Sequence, residues 1–244
     1  MTTNPPTLVS VATYNEMDNL PRLVEEIQRA LPDADILVVD DNSPDGTGRW
    51  CDERGATDPR LKCLHRAGKL GLGTATIAAM KYAIEHQYKY LVNLDADFSH
   101  PPKHLPELVA GMESGPQPID IMIGSRYVSG GKIEGWPLKR HLLSKSVNLY
   151  SRWMLWLPTH DCSGAYRCYR TSKLALIDFD AIRSRGYSFQ EEILWRLKRV
   201  GCRFGEVPIT FVDREAGSSK VNGKESINSM GILLRLGVQN WLGF

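Results

Sequence analysis

No stretch of this 244-residue chain stays apolar over the roughly 18 to 20 residues needed to cross a bilayer. The start, Met1 to Thr7, is polar and Pro-containing, without the basic-then-apolar order of a secretory signal. The five cysteines, Cys51, Cys63, Cys162, Cys168 and Cys202, make no CxxC pair, and their odd number fits neither a zinc ribbon nor a secreted disulfide framework. Buried free thiols are expected, and with them a reducing compartment, the cytosol or the cytosolic face of a membrane. The standard phosphate loops are missing: no GxGxxG follows the first apolar run and no GxxxxGK[ST] occurs, which counts against dehydrogenases and P-loop NTPases. A net charge of +2 is too small to announce a nucleic-acid binder. What the chain has is a 42% hydrophobic and 24% charged composition, enough for one large α/β domain whose core needs no staples.

From residue 7 to about 125, short β-rich runs alternate with helical stretches. Strands are predicted over Thr7–Ala12, Ile36–Val39, Leu61–His65, Tyr90–Leu94 and Ile119–Gly124. Between them lie helices near Leu20–Ile27, Asp45–Arg54, Gly73–His86 and Pro102–Met112, the first with an apolar face of Leu20, Leu23, Val24 and Ile27. Such alternation means βαβ units and a mostly parallel sheet. Ligands of open parallel sheets gather beyond the carboxyl ends of the strands, and here those ends carry Tyr14-Asn15-Glu16, Asp40-Asp41, Asp95 with Asp97, and Ser125-Arg126. After residue 125 the texture changes. Val128–Gly135 reads as a flexible Gly-rich loop, Trp136–Leu157 as a helix, Ala165–Tyr169 as a strand, Phe189–Val200 as a helix, and Phe204–Val212 as one or two short strands. A polar segment, Asp213–Glu225, precedes a last helix over about Ser226 to Leu242. With no repeat, low-complexity tract or linker, residues 1–244 are read as a single domain.

Asp95-Ala-Asp97 directly follows an apolar strand, where two carboxylates can converge on one hard divalent cation. Asp is also a common turn former, so a lone pair of this kind says little; the second acidic strand end, Asp40-Asp41, raises its weight. Gly71-Leu-Gly73 either brings bare backbone to a ligand or permits tight packing. Arg126, one residue past a strand, is well placed for phosphate, and Arg214 and Lys220 sit in a Gly/Ser-containing segment suited to folding over a diphosphate. The 136–157 helix mixes tryptophans with Lys139, Arg140, Lys145 and Arg152. It either lies in a headgroup layer or packs its aromatic face on the core, and the pattern alone slightly favours the core. The last helix is apolar on more than one face, so the core, a partner chain or a bilayer must cover it.

Ala12-Thr-Tyr-Asn-Glu16, Val38-Val-Asp-Asp-Asn-Ser-Pro-Asp-Gly-Thr47, Asp95-Ala-Asp-Phe-Ser-His100 and Gly124-Ser-Arg-Tyr127 stand in the order and spacing of an inverting GT-A glycosyltransferase. With Gly135-Trp136, Lys139-Arg140, Gly205-Glu-Val-Pro-Ile209, Phe211-Val-Asp-Arg214 and Ser219-Lys220, nearly the whole chain resembles the dolichol-phosphate mannosyltransferase (polyprenol monophosphomannose synthase) family. The resemblance implies a GT-A fold: a Rossmann-like, mostly parallel sheet flanked by helices, with a nucleotide-sugar half over about 1–125 and an acceptor- and membrane-facing half with C-terminal helices over about 126–244. It implies transfer of mannose from GDP-mannose to a dolichyl or polyprenyl phosphate, with inversion and with Mg²⁺ or Mn²⁺. By position, Ala12, Tyr14, Glu16, Val39 and Asp41 would hold the guanosine part. Asp95, Ala96 and Asp97 would bind the nucleotide sugar, with Asp97, joined by Asp95, on the metal. Arg126, Arg214 and Lys220 would clamp phosphates, and Arg126, Arg140 and Ser144 would meet the lipid phosphate; Asp97 and Arg126 would be the catalytic pair.

Two departures stand out: the family usually has Pro where Ala12 stands, and some members carry Gln as a metal ligand where Ser99 stands. The chain resembles the short type that lacks C-terminal membrane helices. The implied setting is peripheral, on the cytosolic face of a membrane, with no nucleic-acid partner and a small anchoring subunit left open. Two other readings are carried forward: a sister transferase using UDP-glucose or another nucleotide sugar on the same lipid, and a catalytically silent nucleotide-sugar-binding subunit of a membrane complex.

Overall fold

The computed structural model describes residues 6–184, 186, 188–213 and 223–242, with side chains from 229 onward in the last helix. Strand β1 (Thr7–Thr13) leads into helix α1 (Leu20–Ala30), then β2 (Asp35–Asp40), α2 (Thr47–Gly55), β3 (Leu61–His65), α3 (Leu72–Glu85) and β4 (Tyr90–Asp95). A 3₁₀ turn at Pro102–His104 runs into α4 (Leu105–Gly111), followed by β5 (Ile121–Ser125). The second half contributes β6 (Lys132–Glu134), α5 (Leu138–Leu155), β7 (Arg167–Arg170), α6 (Thr171–Leu174), α7 (Phe189–Arg199), β8 (Phe204–Pro208), β9 (Thr210–Val212) and α8 (Gly223–Leu242).

The main sheet has the order β3-β2-β1-β4-β7-β5-β8, parallel throughout except for β7, which runs antiparallel between β4 and β5. The expected mostly parallel α/β architecture is therefore present. The buried faces explain the continuous apolar runs: β1 and β2 are covered on both sides, so alternation is lost and nearly every residue is inward. Helix α1 buries the four predicted residues, Leu20, Leu23, Val24 and Ile27, and Pro21 in its first turn presets the helical φ.

Two expectations are corrected, and the alternative left open at Gly73 is decided. The 128–135 stretch is not wholly loop: Lys132–Glu134 pairs in parallel with Thr210–Val212 as a separate two-stranded ribbon. Gly73 serves packing rather than a ligand, since a Cβ there would lie 2.9 Å from the Phe189 ring. Helix α5 turns Trp153 outward, as the chain does Trp156 just past its end, at 59% and 57% exposed, while Asn148, Ser151, Met154 and Leu155 are buried. The inward face is apolar at its C-terminal end, where Met154 and Leu155 join the core, and polar at Asn148, where the loop beneath it needs an acceptor. The Asn148 Oδ1 accepts from the backbone amides of Cys162, at 2.6 Å, and Ser163, at 3.1 Å.

Candidate active site

Register sets the site. Ala12 stands opposite Val39 on β2 and Asp95 on β4, so three of the residues expected at a nucleotide sugar share one row where three parallel strands end. In the next row Thr13 donates to the Asp40 carboxylate at 2.9 Å, and Ser43 adds its hydroxyl at 2.6 Å and its amide at 3.0 Å. Asp45 then joins the two loops that follow: it accepts from the Thr47 amide and hydroxyl and from the Met17 amide. Burial works to raise its pKa, but these hydrogen bonds prevail and lower it. The amides of Asn15 and Glu16 reach Ser43 and Thr47, so Tyr14–Met17 is held against 43–47 as one wall. Asn15 and Asn42 take φ near +59°, a conformation Asn tolerates and most residues do not.

Asp41 is buried beside Arg66, with an Oδ1–Nη1 separation of 2.9 Å. The angle is not that of a hydrogen bond, and both atoms are otherwise without one, so the pair is held by charge alone. Burial raises the Asp41 pKa against the opposing pull of Arg66. Lys69 lies 4.3 Å over the Tyr14 ring. Arg66 and Lys69 were not singled out in the sequence, although the end of β3 at His65 was the signal that pointed to them.

The acidic turn follows β4. The Ser99 amide donates to Asp97 Oδ1 at 3.1 Å, and the Val212 amide to the Ser99 carbonyl at 3.2 Å, which pins the turn to β9. His100 is buried behind it, with Nδ1 3.3 Å from the Asp95 amide and 3.5 Å from its carboxylate. Burial lowers the His100 pKa more than the neighbouring aspartates raise it, so the ring is neutral at pH 7. Its neighbours are the rings of Tyr166, at 5.0 Å, and Phe211, at 5.5 Å.

Arg126 follows β5 as expected, but its setting was not foreseen. Nε and Nη2 donate to the two oxygens of Asp161 at 2.7 Å each, the Arg126 amide adds a third bond at 3.0 Å, and Nη2 also reaches Ser163. The rings of Tyr127, Trp136 and Phe211 lie 5.3 to 5.6 Å from the guanidinium. These bonds engage Nε and Nη2 and not Nη1. Burial works against the charge of Arg126, while Asp161 and, more weakly, Asp95 favour it, so the acidic turn and this cation share one field. Asp161 lies in a polar loop with no strand or motif to mark it.

On the other flank, Ser144 accepts from the Tyr127 hydroxyl at 2.7 Å, and Arg140 Nη1 lies 2.9 Å from both oxygens of Asp213. The Arg140 guanidinium also sits 4.1 Å over Trp136, the ring that flanks Arg126. The two expected acceptor-side residues of α5 are thus connected to Arg126 through Tyr127 and Trp136. Arg214 and Lys220 lie outside the described residues. Ala96 is buried between the two aspartates of the turn.

A sequence-family model described as Glycosyl transferase family 2 matches residues 8–177. The chain is 47% identical over 216 residues to a protein of Micrococcus luteus named undecaprenyl-phosphate mannosyltransferase, covering 88% of this chain and 87% of that one. It is 44% identical over 237 residues to a polyprenol monophosphomannose synthase of Mycolicibacterium smegmatis, covering 97% and 88%. Among solved structures, glucosyl-3-phosphoglycerate synthase from Mycobacterium tuberculosis in complex with UDP superposes with a TM-score of 0.68 at 16% identity, over 96% of this chain and 80% of that one. At that identity the likeness concerns the fold.

Proposed function

Since the chain belongs to glycosyl transferase family 2, we propose that it transfers mannose from GDP-mannose to a polyprenyl phosphate, inverting the anomeric centre. The carrying observation is the meeting of the Asp95–Asp97 turn and the Arg126–Asp161 pair at the carboxyl ends of β4 and β5, with Arg140 and Ser144 on the flank beyond. The names of the two bacterial relatives supply the sugar and the class of acceptor.

The chemistry asks little proton transfer of the protein. A phosphate monoester has a second pKa of about 6, so the acceptor is largely a dianion at neutral pH and needs no general base. The task is to bring two anions together and to stabilise the diphosphate that leaves. Asp95 and Asp97 offer the hard oxygen donors that suit Mg²⁺ or Mn²⁺, and they would hold such an ion. When bound, the ion supplies positive charge to the departing diphosphate. Arg126, oriented by Asp161 and boxed by three rings, presents fixed positive charge without reorganisation. Arg140 exchanges Asp213 for the acceptor phosphate, an anion of similar geometry and greater charge. Arg214 and Lys220 are assigned to the same diphosphate.

The acceptor is a lipid, and the surface beside the site suits one. Leu138, Leu142, Leu143, Leu149 and Trp153 project from α5 and Trp156 from just past its end, interleaved with Lys139, Lys145 and Arg152. Trp153 and Trp156 meet the half-exposed Trp241 of α8 at 5.1 and 6.2 Å. No helix among the described residues is long and apolar enough to cross a membrane. The exposed leucines and tryptophans interleaved with lysine and arginine are the pattern of a face that lies in a headgroup layer, and we assign it to the cytosolic leaflet.

The test is incubation with a short-chain polyprenyl phosphate, Mg²⁺ or Mn²⁺, and labelled GDP-mannose or UDP-glucose. Lipid-extractable label from GDP-mannose alone, abolished by EDTA, is expected. Label from UDP-glucose instead, or donor binding without transfer, would replace the proposal with the sister transferase or the silent subunit.

A further inference from the structure

At the far edge of the sheet, Cys63 and His65 occupy positions i and i+2 of β3 and so share one face, on which α2 lays Cys51 and Asp52. A carboxylate oxygen of Asp52, the Cys63 sulfur and a ring nitrogen of His65 all lie within 4.8 Å of one another. His65 Nε2 is 2.9 Å from Asp52 Oδ1, and the other ring nitrogen, Nδ1, is 3.9 Å from the Cys63 sulfur. We propose that Asp52, Cys63 and His65 bind a thiophilic divalent cation of the Zn²⁺ type, at a site separate from the acidic turn.

The donor set argues for this class of ion. A sulfur, an imidazole and one carboxylate suit Zn²⁺ or Co²⁺ and are a poor match for Mg²⁺, which takes oxygen ligands in an octahedron. Zinc bonds of about 2.3 Å to sulfur and about 2.0 Å to nitrogen place tetrahedral ligand atoms roughly 3.5 Å apart, so a spacing of up to 4.8 Å has to close by about an ångström as the exposed His65 ring turns one nitrogen to the ion. Asp52 and His65 are exposed and Cys63 half-buried, which leaves solvent a way in and a fourth position for water. Behind them lies the buried Cys51 thiol, near enough to Cys63 to influence the ionisation of its sulfur.

The site adjoins the nucleotide end of the sheet. His65 stands opposite Asp40 in register, and a Cβ on Gly48 would come within 2.8 Å of the Asp40 carboxylate and 3.0 Å of the His65 ring. Binding would therefore tie α2 to β3 directly behind the loop that Asp40 holds. From the acidic turn the site is separated by two intervening strands, a distance of roughly 14 Å at ordinary strand spacing.

The experiment is a Co²⁺ titration of the full chain, stripped of metal and kept reduced, with excess Mg²⁺ present to occupy oxygen sites. The expected result is a thiolate-to-cobalt charge-transfer band that saturates at one equivalent and is displaced by Zn²⁺. Cys63→Ser should abolish the band, His65→Ala should weaken binding by about tenfold or more, and Asp97→Asn should leave both unchanged. Absence of the band in the folded wild-type protein overturns the proposal. So does a band that survives Cys63→Ser, which would assign the sulfur to another cysteine, or one lost in Asp97→Asn, which would place the ion at the acidic turn.

Discussion

Replacing Asp161 by Asn changes one atom and tests how the site is held. The Asp161 side chain is wholly buried and takes four hydrogen bonds, three from Arg126 and one from the Gly164 amide. In Asp161→Asn an amide nitrogen faces the arginine's own donors, and the guanidinium is left without its counter-charge. Removing one partner of a buried pair costs about 3–5 kcal/mol. The three rings around Arg126 offset part of this, at about 0.5–1 kcal/mol for a favourable ring, which puts the loss near the lower end. A loss of about 3 kcal/mol in a chain of this size lowers the melting temperature by roughly 6–12 °C. The pH dependence has a definite sign. Burial pushes the Asp161 pKa up, but Arg126 prevails and holds it below the ordinary 3.8. The wild-type advantage is therefore full above about pH 4 and is lost as pH falls through the depressed value. Thermal unfolding by circular dichroism measures the shift, and donor turnover at a temperature where both proteins are folded measures the misplaced Arg126. The double variant Asp161→Leu with Arg126→Met should regain most of the stability and none of the activity. An Asp161→Asn protein within about 0.5 kcal/mol of wild type, or a double variant as unstable as the worse single one, would refute the reasoning.

Asp97→Asn keeps the acceptor for the Ser99 amide, so it should leave the melting temperature in place while turnover falls by roughly a hundredfold or more. Arg140→Ala should raise the acceptor KM by about 10- to 100-fold with donor affinity unchanged, as expected when a charged hydrogen bond to the lipid phosphate is lost. Leu142→Ser with Leu143→Ser should weaken binding to anionic vesicles by roughly a hundredfold in sedimentation assays, at about 1.5 kcal/mol for each leucine withdrawn from the lipid, without altering thermal stability. Burial lifts the Glu191 carboxyl from 4.5 to about 7. An acid whose pKa is raised on folding is stabilising to remove only where it would otherwise ionise. Glu191→Gln should thus gain up to about 3 kcal/mol over wild type above pH 7, shrinking toward zero near pH 4.5 in pH-dependent denaturant unfolding.

The half of the fold that was legible in the sequence owes this to strong local signals. Strands buried on both faces read as unbroken apolar runs, as in Leu8–Val11 and Ile36–Val39, and Leu20, Leu23, Val24 and Ile27 keep helical spacing. Those signals place Asp40, Asp95 and Arg126 at strand ends, and the register then brings Ala12, Val39 and Asp95 into one row. What was hidden depends on long-range partners. Asp161 is 35 residues from Arg126 and lies in a loop whose composition is that of any polar turn. The insertion of β7 between β4 and β5, and the pairing of β6 with β9, join segments that have no local reason to meet. The helix of α5 was evident but its orientation was not, because the deciding group is the acceptor that Cys162 and Ser163 require from Asn148. The cluster of Asp52, Cys63 and His65 likewise exists only once α2 lies across β3.

The anomeric configuration of the lipid product, measured by NMR on polyprenyl phosphate mannose made by the purified protein from the α-linked donor, bears most directly on the central claim. An ionised phosphate attacking once, with Arg126 and the acidic turn stabilising the leaving diphosphate and no protein group acting as nucleophile, predicts the β-linked product. An α-linked product would mean that the phosphate does not displace the diphosphate once from the opposite face, and would contradict the account.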